Sequence, residues 1–242
     1  MDGIAFEGCA CRAAFHAGVA AALDEGGVRP RMAAGTSSGS IIAVGLAAGL
    51  AREMPARWRS FGGRSIVSLR RARWNRSLFD MSHLVRSALV DVIGATDLRD
   101  RPVEALVTAT RLRDLAPLVF SSRDEPDLVG PVLGSCFIPV LYGRPVRHGG
   151  AWLVDGGVTD NLPVEALAAR GAKDIVAVTV RADGTAFKSP RVRRWRPTAE
   201  GARVHVIHPR TELALTSWEL DADRLARAID EGYACGRDFT GT

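Results

Sequence analysis

Short apolar runs alternate with longer apolar stretches through residues 1–50 of the chain. Gly3–Phe6 and Arg31–Ala34 have the length and apolar character of buried strands. Arg12–Leu23 and Ser37–Leu50 are long enough to predict helices, and both are rich in alanine and other apolar residues. An order of strand, helix, strand and helix favours a parallel sheet with helices packed on its faces, so the fold class predicted is α/β.

The rest of the chain continues this pattern, except in two arginine-rich stretches at 52–76 and 185–201. The first stretch has no clean periodicity and mixes arginines with Trp58, Phe61 and Trp74. We expect it to form a lid or a surface loop, within a basic segment at about 52–80, because long irregular segments in a domain are often functional. As a lid it would insert Trp58, Phe61 and Trp74 into a lipid surface, with its arginines at the head groups. The alternative is a solvated basic loop packed by a few aromatic residues. With no repeat or linker in view, residues 1–242 are predicted to form a single domain. The further strands predicted are Leu106–Thr110, Leu118–Ser121, Ala151–Val154, Asp174–Val180 and Arg203–Ile207, and the further helices are Met81–Ile93, one opening at Pro163, and Asp221–Arg237.

The composition is that of a globular protein with an excess of arginine. The chain has 242 residues, 47% of them hydrophobic, and a net charge of +5, and its lysines are Lys173 and Lys188 alone. Genome base composition is the simpler explanation of the arginine excess, and contact with anionic phosphate groups, as on a lipid surface, is the functional one. Nucleic acid is disfavoured as a partner, because the arginines are scattered and no nucleic-acid module is visible.

Targeting signals and cysteine content indicate the cellular compartment of the protein. No signal peptide precedes the first predicted strand, and the longest apolar run, Ser40–Ala51, is too short to span a bilayer. Cys9, Cys11, Cys136 and Cys235 are too few for a disulfide scaffold and lack the paired spacing of a zinc site. We therefore expect a reduced, cytoplasmic protein that contacts membranes at most peripherally, and the sequence leaves the oligomeric state open.

The segment Gly35–Gly39, "GTSSG", fits the G-x-S-x-G pattern of a nucleophile between a strand and a helix. Flanking glycines allow the backbone to approach closely around the strained serine, Ser37. At the start of a helix, backbone N–H groups and the helix dipole favour a developing negative charge. The alternative is that Ser37 is a structural N-cap residue, which is a common role for serine.

Two kinds of base could serve Ser37. A triad would take its acid from Asp155 or Asp174 and its histidine from His205 or His208. Against this, the nucleophile of triad hydrolases normally follows several strands, and two short strands are predicted before Ser37. Alternatively Asp155, in "WLVDGGVTDNLPVEAL", acts alone as a general base at the end of its strand, or it only caps the glycine turn.

Taken together, "GTSSG" followed far downstream by "DGGVTDNLPV" resembles the patatin-like phospholipases. The start, "AFEGCACRAAFHAGVAAAL", is similar to the family's glycine-rich loop and first helix, and the resemblance covers nearly the whole chain. It implies a three-layer α/β/α sandwich around a mainly parallel sheet. It also implies hydrolysis of lipid acyl esters by a Ser–Asp dyad, which needs no metal and no cofactor.

The resemblance implies a role for each matching residue. Ser37 would be the nucleophile and Asp155 the base. Arg12 would follow the oxyanion loop and either hold a lipid phosphate or pair with a carboxylate. Gly8, Cys9 and Ala10 would form the oxyanion hole. The residues that bind the oxyanion or the substrate would be Gly8, Cys9, Ala10, Cys11 and Arg12, and the motif glycines would be Gly35, Gly39, Gly156 and Gly157.

The oxyanion loop departs from the family pattern, which has three successive glycines and a further glycine after the arginine. Here those positions include Cys9, Ala10 and Ala13. A non-glycine residue at positive φ is strained, and loss of one oxyanion donor typically lowers the rate by about 10²–10³. A weak or inactive lipid-binding protein therefore remains an alternative to the hydrolase, as does an acyltransferase.

Overall fold

The computed structural model describes residues 1–64, 97–139 and 146–241, and these build an eight-stranded mixed sheet with helices on both faces. The strands are β1 (Gly3–Phe6), β2 (Met32–Thr36), β3 (Glu104–Arg111), β4 (Pro117–Ser121), β5 (Val146–His148), β6 (Ala151–Asp155), β7 (Asp174–Val178) and β8 (Arg203–Ile207). The helices are α1 (Ala13–Glu25), α2 (Ser38–Ala47), α3 (Met54–Arg59), α4 (Val129–Ser135), α5 (Val164–Ala169) and α6 (Ala222–Thr240).

The centre of the sheet is parallel, as the alternation of strands and helices predicts. The strand order is β5-β6-β3-β2-β1-β7-β8, with β4 also paired to β3. Strands β3, β2, β1, β7 and β8 run parallel to their neighbours in this series. Strands β4 and β6 are antiparallel to β3, and β5 is antiparallel to β6. The mainly parallel α/β fold is confirmed, with antiparallel strands at one end of the sheet.

Strand β3 brings the ends of β2 and β6 together. Along one side it pairs with β4, so β2 and β6 share its other side. Strand β2 ends where Thr36 pairs with Thr108, and β6 ends where Asp155 pairs with Ala109. Ser37, which follows β2, and Asp155, which ends β6, therefore lie beside consecutive residues of β3.

Two apolar layers cover the sheet. On one face, Ile4, Phe6 and Val176 pack in the same core cluster as residues of α1, α2 and α6. On the other face, Ala5 and Ile175 pack in a cluster with α5 and the loop that follows β7. Alternating strand residues thus enter separate cores, as the two-residue period of a strand requires. The three-layer arrangement is present, and its second helical layer is the short α5.

The basic segment that begins at residue 52 is helical where the structure describes it. Trp58 lies in α3 four residues after Met54, and both side chains are buried in the core. The prediction that Trp58 reaches a lipid surface is therefore wrong, because the helical turn directs its ring inward. Phe61 packs edge-on against Trp58, with ring centroids 5.9 Å apart. The remainder of the segment, Trp74 included, and the helix predicted at Met81–Ile93 lie outside the described residues.

The most apolar helix, α2, begins after Ser37 and is buried along its ten residues. Its length is that of a core helix. None of the helices in the described ranges has an apolar stretch of the length needed to cross a bilayer.

Candidate active site

Ser37 occupies the turn between β2 and α2 in a strained backbone conformation. Its φ is 51° and its ψ is −129°, a region that residues other than glycine rarely adopt. Its side chain makes no capping hydrogen bond to α2, so the alternative of a structural N-cap serine is wrong. Its N–H donates to the Oγ of Ser135 at 2.7 Å. The hydroxyl is thus not used to cap α2.

The motif glycines are required by close backbone approaches. A Cβ at Gly35 would lie 2.3 Å from the carbonyl oxygen of Gly39, and one at Gly39 would lie 2.4 Å from that of Phe6. A Cβ at Gly156 would lie 2.3 Å from the carbonyl oxygen of Thr108. These contacts draw the Ser37 turn and the turn after β6 tightly onto the sheet, as the G-x-S-x-G spacing predicts.

Asp155 combines burial with one unoccupied carboxylate oxygen. Its Oδ1 accepts the N–H of Gly157 at 2.7 Å, which is the turn-capping role considered as the alternative. Its Oδ2 is buried and forms no hydrogen bond within the described part of the chain. Burial raises the pKa of Asp155 to about 6, against the opposing effects of the Gly157 N–H and the nearby Ser37 hydroxyl. The Ser37 hydroxyl is thus close to the carboxylate without forming a hydrogen bond to Oδ2.

The described histidines do not complete a triad. Asp174 and His205 pair with each other at 2.9 Å, where β7 begins, at the edge of the sheet opposite Ser37. His208 directs its Nδ1 to the carbonyl oxygen of Pro209. The triad alternative is therefore wrong for His205 and His208, the two histidines that it named. His83 lies outside the described residues.

The loop after β1 lies directly against the nucleophile. A Cβ at Gly8 would lie 3.1 Å from the Cβ of Ser37. Asn161 holds this loop through both polar groups of Gly8: its carbonyl oxygen accepts the Gly8 N–H at 2.9 Å, and its Nδ2 donates to the Gly8 carbonyl oxygen at 2.8 Å. The turn that carries Asp155 is thereby tied to the loop predicted to bind the oxyanion.

The amides of this loop differ in availability. The Cys9 N–H donates to the Oγ of Ser38 at 3.2 Å, and the Cys11 N–H donates to the carbonyl oxygen of Ser217 at 3.4 Å. Ala10 has a φ of 52°, which is the positive angle expected where the family has glycine, whereas the φ of Cys9 is −151°. Among the described residues, the Ala10 N–H has no acceptor. The N–H of Ser38, at the first position of α2, lacks an intrahelical acceptor as well.

Arg12 follows the loop with its side chain partly buried. Its Nε is buried and has no hydrogen-bond partner in the ranges described, and the guanidinium forms no ion pair there. Its charge acts at longer range and lowers the pKa of Glu7, although burial raises that pKa overall. The carboxyl of Glu7 is already bonded to Thr179 and to the N–H groups of Val180 and Phe187. Within the described residues, Arg12 therefore does not pair directly with a carboxylate.

The segment Ser135–Phe137 contacts both Ser37 and Asp155. The sequence alone did not predict this role. The Ser135 Oγ accepts from Ser37 and donates to the carbonyl oxygen of Thr108 at 2.6 Å. The carbonyl oxygen of Phe137 accepts the Asp155 N–H at 2.7 Å. Burial and the Asp155 charge raise the pKa of the Cys136 thiol, which lies beside Ser37. The one sequence signal was the run of small residues in "LGSCF".

Comparison with known proteins gives consistent matches. A family model described as Patatin-like phospholipase matches residues 4–168. The chain is 26% identical over 194 residues to a protein named Lysophospholipase NTE1 from Debaryomyces hansenii, an alignment of 74% of this chain and 12% of that protein. It is 28% identical over 166 residues to the Homo sapiens protein named 1-acylglycerol-3-phosphate O-acyltransferase PNPLA3, covering 66% of this chain and 34% of that one. The matched part of the chain thus spans 12% and 34% of the length of these two relatives.

Among solved structures, the crystal structure of VipD from Legionella pneumophila has a similar fold. The TM-score is 0.57 at 14% sequence identity, over 99% of this chain and 66% of that chain. At this identity the similarity shows the fold alone.

Proposed function

Because the chain belongs to the patatin-like phospholipase family, we propose that it hydrolyses lipid acyl esters, with Ser37 as the nucleophile and Asp155 as the general base. The main observation behind the proposal is that the turn after β2 and the end of β6 lie side by side along β3. The strained Ser37 turn and the partly unbonded Asp155 carboxylate lie beside consecutive β3 residues. Strained backbone and a raised carboxyl pKa are both typical of catalytic sites.

In the first half of the reaction, Asp155 removes the proton of the Ser37 hydroxyl as its oxygen attacks the ester carbonyl carbon. The oxyanion that forms is bound by N–H groups, for which Ala10 and Ser38 offer the available donors. Protonated Asp155 then gives its proton to the departing alcohol, and an acyl-Ser37 ester remains. In the second half, Asp155 deprotonates a water molecule, which releases the fatty acid and restores Ser37.

Each proposed catalytic group is held in place by a hydrogen bond from a neighbouring residue. Ser135 fixes the Ser37 main chain, and the Gly157 N–H orients the Asp155 carboxylate through Oδ1, leaving Oδ2 for the proton. Asn161 holds the oxyanion loop against Ser37. Arg12, which forms no ion pair in the described part of the chain, is a candidate for the lipid phosphate.

The first experiment measures fatty-acid release by the purified protein from lysophospholipid, phospholipid and short acyl esters. Ser37→Ala and Asp155→Asn are each expected to lower the rate by at least about a thousandfold. Covalent labelling with a fluorophosphonate separates the two adjacent serines: Ser38→Ala is expected to remain labelled, since Ser38 serves as a hydrogen-bond acceptor, and Ser37→Ala is not. Full activity of Ser37→Ala would refute the dyad.

Acyl transfer is the second candidate, and the similarity to a relative named as an acyltransferase favours it. The same acyl-Ser37 ester would then be resolved by a lipid hydroxyl instead of water. Incubation with an acyl donor and a lysolipid acceptor distinguishes the two, because hydrolysis yields free fatty acid and transfer yields a diacyl product. If the protein binds lipid but Ser37 is not labelled, the result would support the third candidate, a non-catalytic lipid-binding protein, which the atypical oxyanion loop suggests.

A further inference from the structure

Two neighbouring hairpins expose a small apolar patch that the proposed chemistry does not use. Leu112 and Leu115 lie in the turn between β3 and β4, and Trp152 lies near the start of β6. Their exposed fractions are 47%, 55% and 50%, which are high for large apolar side chains. We call Leu112, Leu115 and Trp152, together with the exposed arginines Arg113 and Arg147, the hairpin patch.

The register of the strands places these side chains side by side. The Leu112 N–H donates to the carbonyl oxygen of Trp152 at 2.8 Å, and Arg147 pairs with Trp152 across β5 and β6. Residues opposite one another in adjacent strands project from the same face, so Leu112, Trp152 and Arg147 form one row. The neighbouring Leu153 is fully buried against α4, so the row faces away from α4.

Leu115 adopts a conformation that a leucine does not favour. Its φ is 55°, the left-handed region in which glycine or asparagine is preferred, and its side chain is more than half exposed. Neither burial nor backbone geometry explains a leucine at this position. A strained and exposed apolar residue at a turn indicates a contact outside the folded chain.

The charges beside the patch indicate which surface it contacts. Arg113 and Arg147 form no ion pair within the described ranges, whereas Arg111 is paired with Asp114. The side chain of Arg147 forms a hydrogen bond only to the carbonyl oxygen of Gly150 among the described residues, at 3.4 Å, so its charge is not neutralised by a carboxylate there. Arginines without an ion pair, beside an exposed tryptophan and leucines, suit the boundary between lipid head groups and acyl chains. Three apolar side chains are far fewer than the roughly 20–30 residues per partner of a stable protein interface.

We propose that the hairpin patch is the contact of this protein with an anionic phospholipid surface. The inference rests on the proposed function in that a lipid hydrolase must reach its substrate in a membrane. Trp152 precedes Asp155 by three residues in β6, about 10 Å along the strand, so the patch lies near the site, although the odd spacing places the two side chains on opposite faces of the sheet.

The test measures binding to vesicles of phosphatidylcholine, with and without phosphatidylglycerol, by flotation. It uses the wild type and Ser37→Ala, which cannot consume the vesicles by the proposed route. Leu115→Gly is the key variant, because glycine suits the positive φ and the melting temperature is expected to stay level or rise. Leu115→Gly combined with Leu112→Ser and Trp152→Ser is expected to weaken binding by at least about a hundredfold. Arg147→Ser is expected to weaken binding to the anionic vesicles by about fivefold.

Matched controls come from the opposite edge of the sheet. Phe239→Ser removes an exposed aromatic side chain near the end of α6, and Arg203→Ser removes an exposed arginine at the start of β8. Both are expected to bind vesicles as the wild type does. The patch variants are expected to hydrolyse short soluble esters normally and to lose activity on vesicles.

The outcomes separate the two proposals. Vesicle binding that depends on the patch, without any ester cleavage, would support the lipid contact and refute the proposed function. Cleavage of vesicle lipids with undiminished binding by the patch variants would refute the lipid contact and leave the function standing. A dimer that the patch variants dissociate, in a protein that does not bind vesicles, would also refute the lipid contact.

Discussion

Asp155 shows how one residue can meet two demands. Its Oδ1 holds the turn through Gly157, while its buried Oδ2 has no partner in the described part of the chain. Burial raises the pKa because the carboxylate loses the hydration it has in water, and one backbone N–H only partly replaces that hydration. The Asp155 carboxyl is therefore about half ionised at pH of about 6. Its carboxylate is a stronger base than that of an exposed aspartate.

From this pKa we predict an acid limb in the pH profile. The base acts in its deprotonated form, so kcat/KM for a short ester is expected to fall about tenfold per pH unit below pH of about 6 and to level off above it. Burial also raises the pKa of Asp160 to about 6, so Asp160→Asn is the matched control and is expected to retain the limb. A flat profile from pH 4 to 8, or loss of the limb in Asp160→Asn, would contradict the assignment of Asp155 as base.

The oxyanion loop shows which backbone features can be predicted from single residues of the sequence. The glycine pattern predicts that a side chain at this loop sits at positive φ, and Ala10 does so. The sequence does not predict that Cys9 avoids this region, because the conformation of Cys9 depends on its hydrogen bond to Ser38 in α2. Motif positions can therefore be found from the sequence, whereas the conformation of each one depends on long-range contacts.

At the scale of elements, the positions of several strands and of the long helices could be predicted from the sequence. The runs that form β1, β7 and β8 predict strands that start as observed, and α1 and α6 lie close to their expected bounds. Helix α4 was missed because its seven residues include a proline and two glycines and show no apolar period. The pairing of β6 with β3 was also missed, since Ala109 and Asp155 are far apart in sequence.

Helix α4 nonetheless ends at the residue that links Ser37 to β3, which gives a prediction for Ser135→Ala. The substitution leaves the Ser37 N–H and the Thr108 carbonyl oxygen without their hydrogen bonds. A buried unpaired group costs about 1–3 kcal/mol, so fluorophosphonate labelling of Ser37 is expected to slow by about tenfold or more.

Ser122→Ala is the matched control for Ser135→Ala. Ser122 is a fully buried serine whose Oγ accepts the N–H of Ala105, at the far end of β3 from the site. Both variants are expected to lower the melting temperature, and only Ser135→Ala is expected to slow labelling. Equal labelling rates in the two variants would show that Ser135 has a structural role alone.

At the scale of the whole molecule, the sheet is most deeply buried where it carries the nucleophile. All residues of β1 and β2 are buried, and β1 is bonded on both sides by β2 and β7. Strand β4 alternates exposed and half-buried positions before its buried last residue, Ser121, and β5 is three residues long. Ser37 thus follows a fully buried strand, whereas Asp155 ends β6, whose first two residues are not buried and whose outer neighbour is the three-residue β5.

This difference predicts a gradient in amide hydrogen exchange across the sheet. Opening the central strands requires nearly global unfolding, whereas edge strands open locally. Peptides covering β1, β2 and β7 are expected to exchange at least about a hundredfold more slowly than those covering β4 and β5. The measurement is exchange followed by mass spectrometry at two pH values, which confirms that exchange reports on opening equilibria. Equal protection of β1 and β5 would contradict this gradient and would place the centre and the end of the sheet in one cooperative unit.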